Sequence, residues 1–387
     1  MRYWNQLREL PARLRLRRRY AIDQLRRIRL HDLEDSPYLR QERLSYLEDV
    51  DGIVCARYLY LNASRLALGR RPTPVRMDLG KQFDGLVTTA PINVCTADGQ
   101  RLVQTVHDLI PLEYVPHLDH VVLFARRVAG TLPARKLFVS QSSRRKFEQV
   151  YPRKGDRGGA VIVQPPSLQM PQGRARTLLN QDVLRPSRRA KARHGELRPF
   201  RYLLFNSSVE PRKNLLFVIK AYRLSGLAEA GVRLCVTGQL QKDAYSKAVG
   251  EQADESVLLT SYIDESTKAN LFLHAMAVLS PSLVEGFGIP VLDGACVGAP
   301  VIASPSDSHA EIKKLQDFEQ LVWLCPTTNP MDWAVAMRDL ANAELLRIQD
   351  VDGERQRRLA RYDHCEAAVF EQFRRTVCDQ ILSAETD

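Results

Sequence analysis

A stretch near residue 290 carries residue types that together could bind a phosphorylated sugar. It reads Ser280-Pro-Ser-Leu-Val-Glu285-Gly-Phe-Gly-Ile-Pro290-Val-Leu-Asp293 and follows an apolar run that predicts a strand. The glycines let the backbone approach a ligand, and Pro290 suits the first position of a helix. Because the first turn of a helix presents N–H groups and the positive end of its dipole, a diphosphate would bind well there. Glu285 and Asp293 could accept hydrogen bonds from sugar hydroxyls, although Asp293 could instead simply complement the helix N-terminus.

A second loop suited to anions follows the predicted strand Tyr202-Leu-Leu-Phe205. It reads Ser207-Ser-Val-Glu210-Pro-Arg212-Lys213-Asn214 and leads into a predicted helix. Arg212 offers a fork of donors and Lys213 a compact charge, which together suit two neighbouring phosphates at about 1.5–3 kcal/mol per charge-assisted hydrogen bond. Adjacent basic residues are more often solvated, but two such loops in one domain support each other.

A third candidate is the pair His107-Asp108, which comes at the end of the predicted strand Leu102-Val-Gln-Thr-Val106. A polar pair directly after an apolar strand could line an active site. The alternative is that His107 is a structural residue with satisfied hydrogen bonds, which is the commoner role of a lone histidine. Both interpretations stay open at this point.

Short β-branched runs alternate with helical segments along most of the chain. This alternation predicts parallel strands with helical crossovers, and hence a doubly wound α/β fold whose ligands bind at the carboxyl ends of the strands. A proline-rich, basic stretch interrupts it, and we interpret that stretch as a linker. The predicted organisation is an N-terminal domain over residues 1–170, a linker over 171–199, a second domain over 200–350 and C-terminal helices over 351–387.

The first thirty residues hold ten arginines against Glu9 and Asp23, so most of the net charge of +11 belongs to this segment. Apolar residues recur among the arginines at helical spacing, which predicts a basic amphipathic helix. Such a helix suits an anionic membrane surface, where each arginine adds about 1 kcal/mol. The alternative is a helix packed on its own domain, and nucleic acid is a weaker third choice because no nucleic-acid motif follows.

Composition restricts the class of protein. The 387 residues suffice for two domains, no apolar run is long enough to span a membrane, and no signal peptide is recognisable at the start. The seven cysteines are odd in number and never spaced as Cys-x-x-Cys, which argues against a zinc site or a disulfide framework. We therefore expect a cytoplasmic protein, with peripheral contact to the inner face of the membrane through residues 1–30.

Together these motifs resemble family 4 of the retaining glycosyltransferases, the glycosyl transferases of group 1. The segment from Glu285 to Asp293 resembles the Glu-x7-Glu signature of that family, and Glu210-Pro-Arg-Lys-Asn214 is similar to its donor-diphosphate loop. The motifs occur in the family's order over about residues 85–345. The other matching segments are Val106-His-Asp-Leu-Ile-Pro111, Ser140-Gln-Ser142 and Pro300-Val-Ile-Ala-Ser304.

The resemblance implies a GT-B fold, in which two Rossmann-like domains face a common cleft and a C-terminal helix crosses back to the first domain. It also implies an enzyme that retains the anomeric configuration and needs no metal or other cofactor. Arg212 and Lys213 would hold the diphosphate and neutralise the leaving group. Glu285 would contact the donor sugar, and His107 would line that sugar from the first domain. The implied donor-binding residues are Ser208, Gly286, Phe287, Gly288, Ile289, Val291, Leu292 and Asp293, the last of them on the ribose diol.

Several features depart from the family pattern, including Ser207 and Ser261 at positions where a glycine is common. Asp293 stands where the family usually has a second glutamate, and no first strand or glycine-rich loop is recognisable near the N-terminus. We predict a retaining, metal-independent transfer of a sugar from a nucleotide-diphosphate sugar to a glycan or lipid-linked glycan acceptor. The alternative is a catalytically inactive scaffold subunit that binds sugar nucleotide or glycan. The missing N-terminal loop favours this alternative, whereas the intact Glu285 and Arg212-Lys213 disfavour it.

Overall fold

The computed structural model describes residues 16–28, 52–97, 100–114, 121–152, 159–171, 176, 179, 184, 196–315 and 317–382. The chain divides into two compact units, the first comprising Met1–Ile162 with Arg374–Asp387 and the second Val163–Phe373. The boundary therefore falls ahead of the linker that the sequence predicts. Leu184 and Leu197, two described residues of that stretch, pair with each other and are buried in the second unit.

Parallel strands form the framework of the first unit. Its strands are β1 (Arg19–Ala21), β2 (Arg26–Ile28), β3 (Ile53–Cys55), β4 (Val75–Asp78), β5 (Gly85–Thr88), β6 (Val94–Thr96), β7 (Arg101–Val106), β8 (Arg135–Phe138) and β9 (Gly159–Val161). They form one parallel sheet in the order β1-β4-β6, a second in the order β5-β7-β8-β9, and an antiparallel pair β2-β3. The helices between them are α1 (Leu59–Leu68), α2 (Ile110–Glu113), α3 (Val121–Ala129) and α4 (Gln141–Val150).

The prediction of a basic amphipathic helix is wrong for the described part of the N-terminal segment. Residues Arg19–Ala21 form β1, which pairs in parallel with β4, and a 3-10 turn and β2 follow. Tyr20 is fully buried, and its hydroxyl donates to the carbonyl of Arg57 (2.9 Å) and accepts from Asn62 (2.7 Å). Because long-range pairing with β4 decides the local conformation, the helical spacing was misleading. Residues 1–15 lie outside the described part.

The second unit is a six-stranded parallel sheet covered by helices. Its strands are β10 (Tyr202–Asn206), β11 (Arg233–Thr237), β12 (Val257–Leu259), β13 (Ala277–Ser280), β14 (Val301–Ala303) and β15 (Val322–Leu324). Their order, β12-β11-β10-β13-β14-β15, is that of a Rossmann sheet. The helices are α5 (Leu215–Ser225), α6 (Ala244–Gly250), α7 (Glu265–Leu273), α8 (Ile289–Val297), α9 (Asp307–Lys313), α10 (Pro330–Arg347) and α11 (Val351–Leu382).

Residue patterns explain these elements. The residues of β10 from Tyr202 to Phe205 form one apolar run with no more than 1% exposure, as expected for a strand covered on both faces. Side-chain caps fix two helix starts, since Asp243 accepts from the N–H of Ser246 and Asp264 from that of Thr267, each at 2.7 Å.

The last helix, α11, is anchored on the second unit near its start. Nη1 of Arg358 donates to the carbonyls of Leu273 (3.1 Å) and Ala275 (2.7 Å), and Nε of Arg355 donates to the ring of His274 (2.8 Å). Burial lowers the pKa of His274 to about 3, so this ring is a neutral acceptor. From Arg374 onward the helix belongs to the first unit. No helix in the described part of the chain is both long and apolar enough to cross a membrane.

Candidate functional site

The strand order of the second unit changes direction between β10 and β13. From β10 the sheet continues to β11 and β12, whereas from β13 it continues to β14 and β15. Ligands of such sheets bind outside the carboxyl ends of the strands at this switch point. The two loops that the sequence singles out follow these two strands. The N–H of Leu283 in one loop donates to the carbonyl of Arg212 in the other at 2.8 Å, so the loops are joined.

Glu285 meets both basic residues of the neighbouring loop. Its Oε1 accepts a short hydrogen bond from Nζ of Lys213, and its Oε2 lies 3.7 Å from Nη1 of Arg212. Nη2 of Arg212 also pairs with Oε1 of Glu210 at 2.8 Å. The side chains of Glu285, Lys213 and Arg212 are only 8%, 9% and 14% exposed. Because these charged groups have little contact with water, they attract each other and a charged ligand more strongly than exposed groups would.

The Glu285 carboxylate is ionised in this site. Burial alone would raise the pKa of Glu285, but the charge and hydrogen bond of Lys213, together with smaller contributions such as a hydrogen bond from Ser282, hold that pKa below its ordinary value. Glu285 therefore acts only as an acceptor of hydrogen bonds. Nε of Arg212 is buried and has no hydrogen-bond partner within the part of the chain that the structure describes. Since a buried donor without an acceptor costs about 1–3 kcal/mol, the site favours an incoming acceptor.

Helix α8 begins at a turn that only glycine can make. Gly288 has a left-handed φ of 109°, and a Cβ there would lie 2.6 Å from Cδ2 of His309. The N–H groups of Val291 and Leu292 both donate to the carbonyl of Gly288, at 2.9 and 3.2 Å. For the predicted phosphate contacts, these two amides would have to exchange that carbonyl for phosphate oxygens.

His309 was not predicted from the sequence. Its ring is fully buried, with Nδ1 2.9 Å from the carbonyl of Ser304 and Nε2 3.5 Å from the hydroxyl of Ser280. Because a carbonyl only accepts, Nδ1 carries the proton. Burial lowers the pKa of His309, and the charge of Glu285 opposes this only in part, so the ring is neutral at pH 7. The only signal in the sequence was its position shortly after the matching segment that ends at Ser304.

Asp293 is fully buried and has a partner that was not predicted. Its Oδ1 accepts from the backbone N–H of Ser167 and its Oδ2 from the Ser167 hydroxyl, both at 2.6 Å. Burial raises the pKa of Asp293 to about 6, and the two bonds from Ser167 oppose this rise. Ser167 lies five residues beyond the end of the first unit at Ile162. The ribose contact of Asp293 stays a prediction.

The other predicted donor-binding residues of the second unit lie in the same two loops. Gly286 and Phe287 are buried between β13 and α8, and Ile289 is the first residue of α8. Ser208 is exposed, and its hydroxyl donates to Oε1 of Glu210 at 2.6 Å. The predicted residues of this unit therefore lie in the loops after β10 and β13 and in the first turns of α8.

His107 belongs to the first unit. It follows the carboxyl end of β7, where it is exposed and its Nε2 lies 2.5 Å from the carbonyl of Thr89. The hydroxyl of Ser143, at the start of α4, donates to the His107 carbonyl at 2.8 Å. The expected position at the carboxyl end of a strand is thus correct, and the contact of His107 with a donor sugar stays a prediction.

Comparisons with known proteins agree with this architecture. Residues 187–362 match the model of the family described as Glycosyl transferases group 1. The O-antigen chain mannosyltransferase B of Escherichia coli is 29% identical over 116 residues, which are 29% of this chain and 30% of that protein. The crystal structure of WaaG, a glycosyltransferase involved in lipopolysaccharide biosynthesis, matches with 16% identity and a TM-score of 0.51 over 78% of this chain and 79% of WaaG. TarM matches with 14% identity and a TM-score of 0.46 over 72% of this chain and 50% of TarM.

The parallel sheets of both units, the Rossmann order of the second and the likeness to WaaG define a GT-B glycosyltransferase fold. Over residues 187–362, the second unit is similar to the glycosyl transferases of group 1. The chain spans only 30% of its curated relative and half of TarM, and at this level of identity the likeness to WaaG concerns the fold.

Proposed function

We propose that this chain is a retaining glycosyltransferase that moves a hexose from a nucleotide-diphosphate sugar to a glycan or lipid-linked glycan, without a metal ion. The observation that carries the proposal is the meeting of Arg212, Lys213 and Glu285 at the switch point of a doubly wound sheet. A diphosphate needs cations, and a sugar needs acceptors for its hydroxyls. This site offers both in one place.

Arg212 and Lys213 would act on the diphosphate as it leaves. Fixed cations in a dehydrated site stabilise the charge that develops on the leaving oxygen, and losing one such group costs about 10²–10³-fold in rate. Glu285 would exchange its bond with Lys213 for hydrogen bonds from the sugar hydroxyls. As the resemblance to family 4 implies, the donor phosphate would take the acceptor's proton, so these side chains serve as electrostatic stabilisers.

The rest of the donor would bind to the loop before α8 and to its first turn. Backbone groups from Gly286 to Ile289 would hold the sugar, and those of Val291 and Leu292 the phosphates. Asp293 would accept from the ribose diol, Ser208 would complete the loop after β10, and His107 would approach the sugar from the first unit. These assignments rest on the resemblance, together with the position of each residue at the carboxyl end of a strand.

Three observations support the proposed acceptor and location. One similar protein is named an O-antigen chain mannosyltransferase, and another is described as involved in lipopolysaccharide biosynthesis. Both names support a glycan or lipid-linked acceptor. None of the seven cysteines, all of which lie in the described part of the chain, forms a disulfide, as is usual in the reducing cytoplasm. Contact with an anionic membrane surface is supported by exposed arginines at positions 17, 18, 26 and 27.

The alternative of an inactive scaffold has lost part of its support. It rested on the missing first strand and glycine-rich loop of the N-terminal domain. Residues Arg19–Ala21 do form a parallel strand near the N-terminus, β1, although the first glycine of the chain is Gly52.

Nucleotide release provides the test of the proposed function. GDP-, UDP-, ADP- and dTDP-sugars would be incubated with the wild type, Arg212→Ala and Lys213→Ala, and the released nucleoside diphosphate measured by mass spectrometry. We expect release from one donor class by the wild type and a loss of about 100-fold in each variant. Lys247→Ala, at a lysine with an 80% exposed side chain, is the control and should match the wild type. Full activity of both site variants would refute the diphosphate assignment.

Two further readouts address the chemistry. The anomeric configuration of the product, read by NMR from the identified donor, should equal that of the donor sugar. Activity should persist after dialysis against EDTA. An inverted product or a strict need for a divalent cation would refute the corresponding part of the proposal.

A further inference from the structure

The carboxylate proposed for the donor ribose is already occupied. Asp293 has no exposed surface, and both of its oxygens accept 2.6 Å hydrogen bonds from one residue, Ser167. A ribose therefore reaches this carboxylate only after Ser167 has moved away.

Ser167 offers Asp293 the same chemistry that a ribose would offer. A ribose presents two neighbouring hydroxyls, and a carboxylate can accept one hydrogen bond from each on its two oxygens. Ser167 presents its N–H and its hydroxyl in the same way, one to each oxygen. The two partners thus offer Asp293 the same number of hydrogen bonds from neutral donors. Because Asp293 has no exposed surface, they exclude each other.

Two further residues of the second unit hold Ser167 and its neighbour in place. Nζ of Lys268 donates to the carbonyl (3.2 Å) and the hydroxyl (3.3 Å) of Ser167. The hydroxyl of Tyr362 donates to the carbonyl of the next residue, Leu168, at 2.6 Å. Pro165 and Pro166 precede Ser167 and restrict the backbone there.

We infer that Ser167 determines donor affinity and specificity, because it is hydrogen-bonded to both oxygens of Asp293 and must yield to the ribose diol. This inference rests on the proposed function. It means that a donor makes up for the two bonds that Ser167 gives up only if it carries both ribose hydroxyls, since a single hydroxyl replaces only one of them. It also means that donor binding releases the segment that directly follows the boundary between the two units.

Calorimetric titration with UDP and GDP, and with their 2′-deoxy counterparts, tests the inference on the full chain. Ser167→Ala removes the hydroxyl bond to Asp293, and Ser167→Thr keeps a hydroxyl and serves as the rescue. Tyr362→Phe is the matched control, because it loosens the same segment without removing a hydrogen bond to Asp293. We expect Ser167→Ala to lower the Kd of the ribonucleotide that binds by about tenfold, the effect of losing one hydrogen bond to a charged group.

The expected pattern has three further parts. Ser167→Thr and Tyr362→Phe should bind the ribonucleotide with Kd values close to that of the wild type. Ser167→Ala should not lower the Kd of the 2′-deoxy nucleotide. In the Asp293→Asn background, Ser167→Ala should no longer lower the Kd of the ribonucleotide. An unchanged or higher Kd for Ser167→Ala, or an equal gain in Tyr362→Phe, overturns the inference and leaves the proposed function standing. If no nucleotide binds to the wild type or to any variant, the proposed function fails, and this inference fails with it.

Discussion

Replacing Asp293 by asparagine should change how the stability of the second unit depends on pH. The substitution preserves the size of the side chain and removes its titration. In the folded protein burial raises the pKa of Asp293 to about 6, against an ordinary value of 3.8. Between roughly pH 4 and pH 6 the folded state therefore retains a proton that the unfolded chain has released. The free energy of unfolding contributed by this residue falls as the pH rises through that window.

The magnitude follows from the difference between the two pKa values. About two pH units at 1.36 kcal/mol each amount to about 3 kcal/mol in total, of which about 1 kcal/mol falls between pH 5 and pH 7.5. The wild type should therefore lose about 1 kcal/mol of stability relative to Asp293→Asn over this range. Glu319→Gln, at an exposed carboxylate of the same unit, controls for the removal of one negative charge.

Urea unfolding followed by tryptophan fluorescence measures this difference. Trp323 and the fully buried Trp333 both lie in the second unit, so a Trp4→Phe background restricts the signal to that unit. The free energy of unfolding would be determined at pH 5 and pH 7.5 for each protein. A difference between wild type and Asp293→Asn that stays constant with pH would show that burial does not perturb this carboxyl, and the reasoning would be refuted.

Three other substitutions test separate parts of the structure. Gly288→Ala should weaken nucleotide binding by more than about tenfold, because residue 288 has a left-handed φ and the new methyl group would collide with His309. Gly250→Ala is the control and should leave binding unchanged, because a Cβ at that position meets only ordinary contacts. Arg358→Met should destabilise the second unit by about 3–5 kcal/mol in urea, since it leaves the buried Glu354 with fewer partners. Arg357→Met removes an exposed partner of the same carboxylate and should cost about 1 kcal/mol or less; equal costs would contradict the burial argument. Finally, glutamine would replace the exposed arginines at positions 17, 18, 26 and 27. This variant should sediment less than the wild type with phosphatidylserine vesicles, because each arginine contributes to attraction by the anionic surface. Equal binding of the two proteins would exclude the membrane contact.

The sequence predicted the parts of the site that depend on local signals. The glycines and proline ahead of α8, and the Arg212-Lys213 pair ahead of α5, each follow a strand whose apolar run is easily recognised. Once a parallel sheet is assumed, its carboxyl edge must gather such loops. Local signals therefore suffice to predict that these two loops lie at the same edge of the sheet.

The features that were missed depend on contacts between distant residues. Strand β1 has only three residues, and its pairing with β4 joins positions 57 apart in the chain, such as Tyr20 and Met77. Ser167 and Asp293 are 126 residues apart, and no local pattern marks a serine after two prolines as a partner of a buried carboxylate. His309 similarly gains its place only because Gly288 leaves room for its ring.

A crystal structure with the nucleoside diphosphate of the identified donor tests the central claim most directly. The claim is that the diphosphate binds at the switch point between β10 and β13. We predict phosphate oxygens within hydrogen-bonding distance of Arg212 and Lys213, with Glu285 released from Lys213 toward the sugar side. A diphosphate bound elsewhere, with the Lys213–Glu285 pair unchanged, would contradict it.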